Sequence, residues 1–348
     1  MVTAMNSFEI ALATTDDASE WDHFIRSCVN GTVYHLYAWH QVYQKVGKPF
    51  YFLARENGRV IGAFPLVQVE EHRIRKFVSL PQGIGGFCIS EQVEEKRLVA
   101  RALLQAAIKE AKRQGCHKLE IKADVSHAEL YKELRRIRFA LGYCVPVGDG
   151  WDSIWNKVFN KKVRKNVRHA INAGCITRIY GGSEITEDIL SQFYAMHKKV
   201  SERHSQEAID INTFIGIRAH MGDMCRICMT YYHETPVAVR FFIGDQETGK
   251  VSMYMGASDS DYWKYYPNDL GYAETIRWSA ENKYQWVDLG FSPYPSEKSG
   301  HAHFKSRWGG DEYKVDHFQL DLRPFSLLIK RVMIKMHKLC SVNILSHS

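Results

Sequence analysis

The chain has 348 residues, with 46 Lys plus Arg against 39 Asp plus Glu, a net charge of +7 with His neutral. At 45% hydrophobic and 12% aromatic it holds enough apolar material for packed cores, which excludes general disorder. The length fits two domains of about 150 residues each, the 9 Pro and the lack of a compositional repeat exclude fibrous and low-complexity classes, and the mild positive balance favours acidic partners such as phosphates, tRNA or anionic lipid.

The first 17 residues lack a basic stretch followed by a long apolar core, so no secretory signal is expected. No apolar run reaches the ~18 residues that a membrane-spanning helix needs. The 8 Cys are scattered rather than paired, which points to reduced thiols and a cytoplasmic protein.

A helix is predicted from Asp16 to Cys28. Two apolar runs, 51–54 and 60–66, flank Asn57-Gly58, the strongest short signal for a hairpin. A strand over 76–80 leads into the turn Gly83-Ile84-Gly85-Gly86. The spacing of apolar residues predicts a helix over 93–114, ended by Gly115, and Leu119-Glu120-Ile121 returns as a strand. The same plan follows in the second half: strands at 227–232 and 237–243, a strand at 251–256, a helix at 270–283 and a strand at 286–289. Residue identity between the halves is low, so only the pattern repeats. Between them lie a strongly basic helix at 160–173 and an amphipathic one at 187–204. A further basic amphipathic helix is predicted at 324–340, to pack back on the first domain or to lie on anionic lipid. The expected architecture is α+β: one domain over 1–150, a second of the same type over 151–323, and the helical tail 324–348.

Several segments carry a family likeness: Tyr34-His35-Leu36-Tyr37-Ala38-Trp39, the hairpin run 59–66, the basic helix run 161–170, Val287-Asp288-Leu289-Gly290, and Phe304-Lys305-Ser306-Arg307-Trp308-Gly309-Gly310. Their order resembles two tandem GNAT domains (the acyl-CoA N-acyltransferase fold). The doubled arrangement resembles the Fem family, whose members transfer an amino acid from aminoacyl-tRNA onto peptidoglycan precursors. It looks closest to the Fem-like proteins encoded with exopolysaccharide and PEP-CTERM, sortase-like, systems. The resemblance implies an N-acyltransferase with no bound cofactor. The first domain would hold the acceptor, a nucleotide- or lipid-linked envelope precursor. The second would serve the donor, aminoacyl-tRNA or alternatively acyl-CoA.

Acyl transfer to an amine needs positive charge where the tetrahedral oxyanion develops. Lys305 is the candidate for that charge, and the family's Phe-Lys pair gives the same position that role. Phe304 would pack over the ammonium or the substrate. Asp288 either orients or deprotonates the acceptor amine, or caps a turn. His301 and His303 are alternative bases. Lys161, Arg164, Lys165 and Arg168 follow the spacing i, i+3, i+4, i+7 and share a helix face suited to phosphate oxygens. Arg203 matches a family position for the precursor's phosphates. Tyr34, His35, Tyr37 and Trp39 either line the acceptor pocket or form core, and Gly85 and Gly86 would let a ligand approach the backbone. Tyr254, Tyr266 and Asn268 flank the junction where a GNAT fold places its acyl donor.

Neither half carries the Arg/Gln-x-x-Gly-x-Gly/Ala loop with which a CoA-dependent GNAT cradles pyrophosphate, which argues against ordinary CoA use. Cys225 and Cys228 form a lone CxxC in a strand pattern, so no metal is expected. A non-catalytic scaffold that holds RNA or anionic lipid is the rival of a different class.

Overall fold

The computed structural model describes residues 8–71, 73–81, 83–292 and 300–324. In chain order these give β1 Phe8–Leu12, α1 Ala18–Ser27, α2 Ala38–Tyr43, β2 Lys48–Glu56, β3 Arg59–Glu71, β4 Ile74–Val78, β5 Cys88–Ile89, α3 Lys96–Arg113, β6 Lys118–Asp124 and β7 Arg135–Pro146. There follow α4 Trp151–Ser153, α5 Lys161–Asn172, β8 Cys175–Gly181, α6 Glu187–Arg203, α7 Ile211–Met221, β9 Cys225–Tyr232, β10 Thr235–Asp245, β11 Lys250–Ser258, α8 Pro267–Glu281, β12 Trp286–Phe291, α9 Gly300–Ser306 and β13 Asp311–Asp321. The described chain divides into two units, 8–138 with 316–324, and 139–315. The predicted C-terminal helix, apart from its first residue Pro324, lies outside the described residues.

In the first unit β1, β2, β3 and β4 pair antiparallel in sequence, and β4 pairs parallel with β6. Asn57 and Gly58 both have positive φ, 49° and 76°, between the paired Glu56 and Arg59. That geometry gives the two-residue turn whose twist matches the strands. Helix α3 connects β4 to its parallel neighbour. Val99, Leu103, Leu104, Ala107 and Ala111 form its stripe against Phe64, Phe77 and Leu119. The Gly turn is needed for packing. Gly86 has φ 108°, and a Cβ there would lie 2.2 Å from the Tyr131 hydroxyl, which itself accepts from the Phe87 N–H at 2.9 Å. Gly86→Ala combines backbone strain with a steric clash, so it is expected to lower the unfolding free energy by about 2 kcal/mol in urea melts.

The second unit repeats the plan. Its strands run β7-β12-β11-β10-β9-β8, with β11 and β12 parallel and joined by α8 as β4 and β6 are by α3. The structure extends the predicted hairpin. Pro236 lies inside β10, which starts at Thr235 rather than 237, because the register shift between Pro236 and Ala238 leaves the Pro without a ladder duty. Odd residues Val287 and Leu289 of β12 join Ala273 and Ile276 of α8 in the core. The strand period therefore turns Asp288 to the opposite face.

Candidate active site

The site in the second unit starts from an irregular strand end. The pairing of β12 with β7 shifts register between Asp288 and Phe291, and Gly290 takes φ 72°. Two carbonyls at this break face the Lys305 side chain. The Lys305 Nζ donates to Gly290 O at 3.0 Å and to Phe291 O at 3.1 Å. An ammonium has three donors, so these two leave a third for a ligand. The Lys305 side chain is half-buried, and burial pushes its pKa down to about 8 against the attraction of Asp288. Lys305 sits on the helix α9.

The Asp288 Oδ1 accepts from the Gly290 N–H at 2.7 Å and from the Tyr313 hydroxyl at 2.7 Å. Burial raises its pKa above the ordinary carboxylate value, although both hydrogen bonds and the nearby Lys305 oppose this. Tyr313 reaches it because Gly142 has no side chain: a Cβ at 142 would lie 2.1 Å from the Tyr313 ring. Sequence reasoning missed Tyr313. Tyr313→Phe removes one hydrogen bond to a carboxylate and is expected to cost roughly 1–3 kcal/mol in thermal melts. Ser252 is in register with Asp288 across the parallel pair, so Tyr254, two residues on, lies on the same sheet face. The Tyr254 ring lies against Phe214 and Phe241 at 6.0 and 6.1 Å.

Phe304 packs edge-on to Tyr272, with ring centroids 4.9 Å apart. The cation over its ring is the Arg307 guanidinium at 4.1 Å, not the Lys305 ammonium. Arg307 donates to the buried Asp269 at 2.5 Å, and Asn166 of α5 donates to the same oxygen at 2.9 Å. Asn268 instead accepts from Arg240, through its carbonyl O at 2.9 Å and through its side-chain oxygen. Arg240 is 1% exposed and lies over the Tyr272 ring at 4.1 Å. These contacts join α5, α8 and α9 next to Lys305. Their partners are far apart in sequence, so Arg240 and Asp269 gave no signal there, and Arg307 stood out only as part of the 304–310 run.

Tyr266 holds a left-handed conformation at the start of α8, and its ring faces His169 at 5.4 Å. Arg203 lies over Trp263 at 4.8 Å and donates to Ser258 O at 3.3 Å. His301 and His303 are exposed on α9. Lys161, Lys165 and Arg168 are exposed on one face of α5, and Arg168 also lies 5.5 Å from the Trp155 ring. Arg164 is a correction: its guanidinium is committed to the carbonyls of Trp155 at 3.0 Å, Asn156 at 3.3 Å and Phe159. It closes the turn before α5, where helix-end carbonyls need donors.

The first unit also corrects the acceptor-pocket reading. Tyr34, His35, Tyr37 and Trp39 keep 5% or less of their surface exposed. They are core: Trp39 donates to Val33 O at 2.9 Å, and His35 pairs with the Thr32 hydroxyl at 2.9 Å. Burial pushes the His35 pKa to about 4. Gly85 and Gly86 are buried against Ser79 and Tyr131 and present no open backbone. The Cys225 and Cys228 thiols are both buried and pushed up to about 11. Among the described residues no cluster of His, Cys, Asp or Glu could hold a metal, and no helix is long and apolar enough to cross a membrane.

Residues 19–134 match the model of the Acetyltransferase (GNAT) family, and residues 157–314 match that of the Acetyltransferase (GNAT) domain. Among solved structures, FemX is similar at 16% identity over 92% of this chain and 100% of its own, with a TM-score of 0.67. A tandem GNAT protein from the clavulanic acid biosynthesis pathway matches at 9% identity over 91% of this chain and 99% of its own, TM-score 0.63. L-PGS from Bacillus licheniformis matches at 12% over 92% and 97%, TM-score 0.59. At these identities the likeness is one of fold. No curated protein matches the sequence.

Proposed function

The chain belongs to the GNAT acyltransferases, with two such domains in tandem, and from this we propose that it transfers an aminoacyl group from aminoacyl-tRNA to an amine of a cell-envelope precursor. The observation that carries the reading is the Lys305 ammonium, held on two carbonyls beside Asp288 in the second domain. The acceptor nitrogen attacks the ester carbonyl, and a C–N bond forms. Lys305 donates to the resulting oxyanion. Asp288, made more basic by burial, orients the amine or takes its proton. The C–O bond to the tRNA ribose then breaks, and the proton lost by the amine passes to the released ribose oxygen, which leaves as a hydroxyl. Phe304 shapes the donor side of the site.

The surface around α5 supports tRNA as donor. Lys161 and Lys162 open the helix, and no acid lies in its first turn. Cations there oppose the helix dipole. Such a locally unfavourable choice fits a face selected for anions. Trp263 and Tyr266, 51% and 38% exposed, lie in the same domain as platforms for unpaired bases. Lys165→Ala and Arg168→Ala are each expected to weaken tRNA binding and to reduce the slope of log affinity on log salt by roughly 1. Arg164→Ala should instead lower the melting temperature and leave that slope unchanged, since its donors serve the backbone. Filter binding across salt concentrations reads both.

The acceptor would be nucleotide- or lipid-linked and met at the inner face of the membrane, with Arg203 near its phosphates. Acyl-CoA is the second reading, favoured by the acetyltransferase family models on both halves. Supplying charged tRNAs and acyl-CoAs separately to the purified protein, with a panel of amines, separates the two. Amide formation from charged tRNA supports the proposal. Amide formation from acyl-CoA alone overturns the donor assignment.

A further inference from the structure

The second unit carries a run of rings and guanidiniums from α4 to α8 that the acyl-transfer chemistry does not use. Trp151 and Trp155 stand four residues apart, the spacing that puts two side chains on one helical face. Their ring centroids lie 5.5 Å apart, and both residues are half-buried. The Arg168 guanidinium lies over Trp155 at 5.5 Å, and that of Arg277 lies over Trp151 at 5.9 Å. The order is Arg168, Trp155, Trp151, Arg277, with a cation at each end. Lys157 is exposed in the same segment.

The backbone under this run is irregular. Ile154–Val158 form a single π-helical turn, and such turns are frequent at functional positions. Arg164 ties the turn to α5 through the carbonyls of Trp155, Asn156 and Phe159. Ile154 and Phe159 anchor its inner side in the core. A fixed turn therefore fixes the Trp155 ring, and the ring in turn holds Arg168 flat.

The cations have donors to spare. Among the described residues the Arg168 guanidinium and the Lys157 ammonium have no hydrogen-bond or ion-pair partner. Arg277 gives its Nε–H to Glu281 at 2.8 Å, which leaves four of its five donors. The acids of the patch are Asp152, Glu274 and Glu281. They are outnumbered by Lys157, Arg164, Arg168 and Arg277 together with the lysines of α5. A guanidinium laid on a ring has already lost rotamer freedom and keeps its N–H edge open to oxygen. Two such forks suit phosphates, which accept paired N–H groups.

We propose that this ladder binds the phosphodiester backbone of the RNA donor, with Arg168, Arg277 and Lys157 each taking a phosphate. The inference deepens the aminoacyl-tRNA reading and rests on it: it carries the RNA contact from α5 across α4 to α8. A lipid surface fits the same patch less well. A guanidinium covers each Trp ring and both rings are half-buried, so neither stands out to enter a membrane.

The test uses the full chain and uncharged tRNA, with filter binding across salt concentrations. Arg277→Gln and Lys157→Gln lie at exposed positions, where folding tolerates change. Each should weaken binding and reduce the slope of log affinity on log salt by roughly 1, and the double variant by roughly 2. Arg277→Lys keeps the charge and loses the planar fork, so the slope should hold while the affinity falls severalfold. Phosphatidylglycerol vesicles serve as the rival probe. tRNA binding with the native slope in both Gln variants overturns the inference and leaves the donor assignment standing. So does native affinity in Arg277→Lys, or a loss confined to vesicle binding. Absence of tRNA binding by the native protein overturns the inference and the donor assignment together.

Discussion

Lys305→Met is expected to lower kcat about 10²–10³-fold, the loss seen when one oxyanion donor is removed from a preorganised site. The melting temperature should fall by only a few degrees. The substitution removes two hydrogen bonds to carbonyls on an irregular strand end, each worth roughly 1 kcal/mol. Substrate binding should change little, because the charge matters most once the carbonyl oxygen turns negative. The sign of the pH dependence follows from the Lys305 pKa of about 8. The ammonium is present below that pH and is lost as pH rises through it. Activity carried by the cation therefore falls above about pH 8, whereas a Lys305 acting as a base would make activity rise there. Lys305→Arg keeps a charge at higher pH. It should retain part of the activity and move the decline upward. The kcat profile of the two proteins across pH 6–10 reads this directly (~4 units, wide enough to bracket one titration).

Asp269→Ala is expected to destabilise the protein by about 3–5 kcal/mol, the range for a buried ion pair that loses one partner. Asp269 is 3% exposed and receives both Arg307 and Asn166. Without it the Arg307 guanidinium stays over the Phe304 ring with no carboxylate. The same residue helps to hold α9 against α8, so Lys305 should lose its geometry as well. Asp269→Asn keeps a hydrogen-bond acceptor and should cost less. Urea midpoints of the two variants, with Asn166→Ala added to each, show whether the three residues act as one network.

The elements that carry local signals were readable. Asn57-Gly58 announced its hairpin, and the stripe of α3 announced its helix. The doubling of hairpin, strand, helix and parallel strand was visible as pattern, although the halves share little identity. Other elements were hidden. β7 opens with Arg135-Arg136-Ile137-Arg138, exposed residues with no clear alternation. Helix α7 buries Thr213, Phe214, Gly216 and Ile217 and has no single stripe. The site was half legible. Asp288 and Lys305 stand in short motifs. Their support does not: Tyr313 depends on Gly142, 171 positions earlier by numbering, and Arg240 meets Asn268 only once β10 and α8 are packed. Tyr34, His35, Tyr37 and Trp39 read equally well as pocket or core. Burial, which sequence spacing does not reveal, decides for core.

The account rests most on Lys305 acting as the charged donor in aminoacyl transfer. The direct measurement is the single-turnover rate at which a labelled aminoacyl group passes from charged tRNA to an amine acceptor, in the native protein and in Lys305→Met. The account predicts amide formation by the native protein and a rate lower by about 10²-fold or more in the variant, with tRNA still bound. Equal rates in the two proteins would contradict it.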